Sequence, residues 1–215
     1  MTDWNRVREI QALRESGRPA EALVEFKALR EDATDATDIS SILLGEALSY
    51  RDLGRFDKAA EAASEAVRLL PEENPSRPYA EFSLACVHES DGKFDLAAQE
   101  FRVLLTRHAD LLNTDEHVQF RRGVQLRLIA NLIVLGNAVE PLSIANALKI
   151  EDLSPEERAE LSYREAVAHG ILGRHDHAVE LALSRRPGAL RCRNGQSRPP
   201  LPSDYAFTRA IICSG

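Results

Sequence analysis

Six histidines, three cysteines and several paired acids are the side chains of this 215-residue chain best suited to chemistry. His175-Asp176-His177, with His169 six residues earlier, could ligate a transition metal if the imidazoles converged. Histidines two apart point to different sides of a helix, however, and paired helical ligands use i,i+3 or i,i+4 spacing. They read as solvated turn histidines. Cys86, Cys192 and Cys213 are far apart and form neither a disulfide framework nor a zinc pattern. Cys86 lies in an apolar helical pattern, where it serves as a small core or groove residue. Glu72-Glu73 and Glu156-Glu157 fall in loops or helix starts and read as solvated charge. Phosphate-binding glycine loops, GxSxG and CxxC are missing from the sequence. The expectation is a non-enzyme, with no catalytic residues, no metal ligands and no cofactor.

The elements that carry these residues repeat. Leu53–Pro71 reads LGRFDKAAEAASEAVRLLP and Asp91–Leu105 reads DGKFDLAAQEFRVLL. Related copies are SGRPAEALVEFKAL at Ser16–Leu29, LGNAVEPLSIANAL at Leu135–Leu148 and LGRHDHAVELAL at Leu172–Leu183. The anchoring glycines are Gly17, Gly54, Gly92, Gly136 and Gly173, spaced 37, 38, 44 and 37 residues apart. Before each lies a segment with helical apolar spacing, such as Leu43, Ala47, Leu48, Tyr50 and Leu53. Each repeat therefore reads as a helical hairpin closed by a left-handed glycine cap.

After the glycine, Asp57, Asp95 and Asp176 suit the next helix N-terminus through capping and the helix dipole. Pro19 takes that place in the first repeat. Ala22, Ala59, Ala97 and Ala178 let the paired helices approach. Loops are expected at residues 31–38, 71–78, 109–114 and 152–154. Ser154-Pro155-Glu156-Glu157 has the form of a capping box. Pro141 should delay or bend the second helix of the fourth repeat.

Taken together, these residues resemble the tetratricopeptide repeat (TPR) family. The second repeat matches best, with Leu43, Ala47, Tyr50, Gly54, Phe56, Ala59, Ala66 and Pro71. The third offers Leu84, Ala85, Gly92, Phe94, Ala97, Phe101 and Leu104, and the first Gly17, Ala22, Phe26 and Leu29. The resemblance covers about residues 4–183 and implies an all-α, right-handed superhelical solenoid of about five TPR-like hairpins. It also implies a concave face lined by the first helix of each hairpin. Carried over residue by residue, that groove takes Val7, Arg8, Gln11, Leu44, Gly45, Leu48, Arg51, Tyr79, Phe82, Ser83, Cys86, Leu126, Arg127, Ala130, Tyr163, Arg164 and Val167. An apolar groove with a few arginines suits a peptide or helix of some acidic character. Val7, Gln11, Gly45 and Ser83 stand where a carboxylate-gripping chaperone subclass would have Lys and Asn, so that role is rejected.

The net charge of −7 argues against a nucleic-acid backbone as partner. The N-terminus lacks a signal-peptide run, and no uninterrupted apolar stretch reaches about 18 residues, so a cytoplasmic protein without membrane insertion is expected. Composition shifts near Ser184. Residues 184–215 hold six Arg, four Pro and one acid, Asp204, a balance of +5 against −12 for the rest. This basic tail reads either as a flexible arm folding back with Tyr205, Phe207, Ile211 and Ile212, or as a departure that truncates a longer array. The expected function is a protein-interaction adaptor. The alternatives are a peptide-sensing TPR module of a larger regulator, or a structural repeat that self-associates through its C-terminal end.

Overall fold

A computed structural model describes residues 3–148 and 153–184; the tail beyond Ser184, with Arg185, Cys192 and Cys213, lies outside the described residues. Every regular element among the described residues is a helix. The chain divides into two compact units at Ala109/Asp110. The first holds α1 (Trp4–Glu15), α2 (Pro19–Asp32), α3 (Ala36–Asp52), α4 (Phe56–Leu69), α5 (Arg77–Ser90) and α6 (Phe94–Arg107). A one-turn helix, α7 (Ala109–Leu112), and a 3-10 turn at Asp115–His117 precede α8 (Val118–Val134). Then come α9 (Val139–Ala147), α10 (Pro155–Ile171) and α11 (His175–Ser184). The segment expected as a loop from residue 109 is therefore partly helical. The loop expected at 31–38 shrinks to Ala33–Asp35, because α2 runs to Asp32 and α3 starts at Ala36.

One turn recurs five times. Gly17, Gly54, Gly92, Gly136 and Gly173 all have positive φ, between 70° and 83°, and no other described residue does. In each, the residue after the glycine donates its amide five residues back: Arg18 to Leu13, Arg55 to Tyr50, Lys93 to His88, Asn137 to Leu132 and Arg174 to His169. The glycine amide itself bonds three residues back. This is the Schellman cap, which satisfies carbonyls that a helix end leaves open.

In the first unit the residue following the glycine is the N-cap of the second helix. Arg18, Arg55 and Lys93 are the N-caps of α2, α4 and α6, with no side-chain capping bond. Asp57 and Asp95 lie inside the first turn instead, which corrects the expected capping role and leaves the favourable dipole interaction. Pro19 opens α2, where its missing N–H costs nothing.

Small residues set the packing in the first unit. Ala22, Ala59, Ala63, Ala66 and Ala97 are wholly buried. Phe26 and Phe101 fill the hairpin interiors. α3 packs against α2, α4 and α5, so nearly every residue from Ser40 to Tyr50 is buried. At Gly45 a methyl group would stand 2.5 Å from Phe26 Cζ, so the glycine admits the ring.

In the second unit, Leu126, Ile129, Ala145, Leu153 and Leu161 make the core. α9 has 9 residues where α2, α4 and α6 have 14. It starts three residues after its glycine instead of two, with Pro141 in its first turn, as the sequence predicts. The capping box forms at α10: Glu157 N donates to Ser154 Oγ at 3.1 Å, and Ser154 N donates to Glu157 Oε2 at 2.8 Å.

Three glycine substitutions separate the roles. Gly54→Ala forces a Cβ into the left-handed region and should cost about 1–2 kcal/mol. Gly45→Ala should cost about 1–3 kcal/mol through overpacking against Phe26. Gly123→Ala, in helix α8 with open space around it, should stabilise by about 1 kcal/mol. Denaturant unfolding followed by circular dichroism checks all three; a neutral Gly54→Ala would contradict the turn assignment.

Candidate partner-binding faces

Counting back from each turn glycine gives a common register for the first helices. Ten residues before it stand Val7, Leu44, Phe82, Leu126 and Tyr163; nine before it, Arg8, Gly45, Ser83, Arg127 and Arg164. Six before it stand Gln11, Leu48, Cys86, Ala130 and Val167.

In the first unit the apolar members are buried. Val7 packs with Ile10, Ala22, Phe26 and Ile42, and Leu44 packs with Leu43, Ala47, Ala62 and Ala66. Both therefore hold hairpins together, and the expectation that they line an open groove is corrected. Phe82 tilts against Phe101 of α6, with ring centroids 5.7 Å apart. Leu48, Tyr79, Cys86 and Gln11 are also buried, and the Gln11 amide donates to Glu15 at 3.3 Å. Gly45 serves the Phe26 contact. Arg8 is exposed and donates to Asn5 Oδ1 at 3.1 Å.

The arginines have internal partners. Arg51 reaches Asp52 at 3.1 Å, and the buried Arg14 of α1 reaches the same carboxylate at 2.6 Å. Asp52 thus ties α1 to α3. Sequence reasoning missed Arg14, although it sits three residues before Gly17 as Arg51 sits three before Gly54. In the second unit Arg164 donates to the Leu126 carbonyl at 2.6 Å and to Glu160 at 2.5 Å. Leu126 belongs to the core, Arg127 is half-buried, and Tyr163 is 71% exposed.

Several further ionisable groups are paired. Glu81 of α5 accepts from Arg77 at 3.1 Å and Arg107 at 2.7 Å, and contacts His108 Nε2 at 2.9 Å. His88 contacts Glu100 at 2.8 Å, so Glu100 faces its partner helix. Burial raises the Glu100 pKa; His88 opposes that shift and the charge of Glu81 adds to it. Glu25 of α2 likewise pairs with Arg6 of α1. His169 and His177 meet edge-to-face across the last hairpin, 4.4 Å between centroids. His177 is 52% exposed, as expected of a solvated histidine, while His169 is half-buried near the end of α10. Desolvation lowers the His169 pKa, with His177 and Arg174 adding to it. A perpendicular contact turns one ring's edge to the other's face, so the two lone pairs do not converge on a common point.

Stacked hairpins with in-register first helices define a helical-repeat protein. The tetratricopeptide repeat family model matches residues 7–74 and again 44–111. The chain is a tetratricopeptide repeat protein. Its fold is similar to that of a Podosopora anserina protein assigned as a kinesin light chain with nearly identical TPR-like repeats. One such structure has TM-score 0.71 at 18% identity, covering 85% of this chain and 92% of that one. A second has TM-score 0.67 at 18% identity, covering 100% and 98%. No curated protein matches the sequence.

Glu46, buried in α3 and 2.7 Å from Arg30 Nε, gives a pH prediction. Desolvation raises its pKa, opposed by Arg30 and Lys27. A carboxyl that binds its proton more tightly folded than unfolded loses stability as pH rises through its folded value. Arg30 is 42% exposed and stays solvated without a charged partner. Glu46→Gln should therefore melt no lower than wild type at pH 7–8, with the difference closing toward pH ~4. Thermal melts across that range check it; a variant much less stable at neutral pH contradicts it.

Proposed function

We propose that the protein is a binding scaffold that captures a peptide or helix of another protein on the inner faces of its first helices. Tetratricopeptide repeats generally mediate protein–protein interaction. The observation that carries the reading here is the repeated turn. Counted from their caps, Arg8, Arg127 and Arg164 hold one register position and Tyr163 the position before it, and such repetition is how repeat proteins build a recognition surface. On this reading Tyr163 and Arg8 make direct contact. Leu48, Arg51, Tyr79, Phe82 and Cys86 shape the first unit's face, with Val7 and Leu44 supporting it from the core; Leu126 supports the second unit's face in the same way.

Exposed aromatics are common anchors at interfaces, since they add area at little entropic cost. Because Arg51 and Arg164 are already charge-paired, the partner's apolar side chains supply most of the affinity in this proposal, and acidic ones a smaller part.

Affinity capture from host lysate tests it. The wild type is compared with an Arg8→Glu/Tyr163→Ser variant, whose substitutions fall on exposed side chains and leave the fold intact by circular dichroism. The expected outcome is one enriched protein, reduced about tenfold or more with the variant. Equal capture by both would contradict an inner-face site.

A further inference from the structure

We draw no further inference here: the strongest candidate, the exposed apolar edge of Val134, Leu135, Val139, Ile171 and Leu172 at the hairpin turns of the second unit, carries none because nothing in the structure shows what covers it.

Discussion

The left-handed glycine turn is the constraint on which the rest depends. A helix end leaves carbonyls unsatisfied, and the Schellman bonds close them only if one residue takes positive φ. That residue is glycine at all five turns. Because the second helix begins two or three residues after the glycine, the turn fixes the position of both helices at once. The alanines that permit close approach, the phenylalanines that fill the hairpins and the inner-face residues all sit at fixed distances from it.

Packing then decides which residues remain available. α3 is surrounded by α2, α4 and α5, so its register positions are drawn into the core. Leu44 joins that core and Gly45 yields its space to Phe26. Carboxylates are drawn inward as well. Asp52 ties Arg14 to Arg51, and Glu81 gathers Arg77, Arg107 and His108. Pairs of this kind give little net stability where solvent screens them, but they fix how neighbouring helices sit.

The hairpin architecture was legible in the sequence because its signals are local. The glycine spacing, the Ser154–Glu157 capping box and the delayed start at Pro141 each depend on residues a few positions apart. The candidate faces were only partly legible. Register placed Val7, Leu44 and Leu126 on the first helices, but it cannot distinguish a side chain facing the adjacent hairpin from one facing a partner. Contacts far apart in sequence, such as Arg14 with Asp52 or His169 with His177 across a turn, left no periodic trace. Asp57 and Asp95 look like caps from composition alone; the preceding basic residue takes the cap position because the glycine turn ends one residue earlier.

Five equivalent turns holding one common register is the central claim, and residue-resolved amide hydrogen exchange of the native protein addresses it most directly. The amides of Arg18, Arg55, Lys93, Asn137 and Arg174 each close a turn by bonding five residues back. They should exchange about a hundredfold or more slowly than in an unfolded chain, as hydrogen-bonded amides in folded elements do. If these five exchanged at unfolded rates while the helix interiors stayed protected, the turns would not be the fixed points of the fold, and the shared register would fall with them.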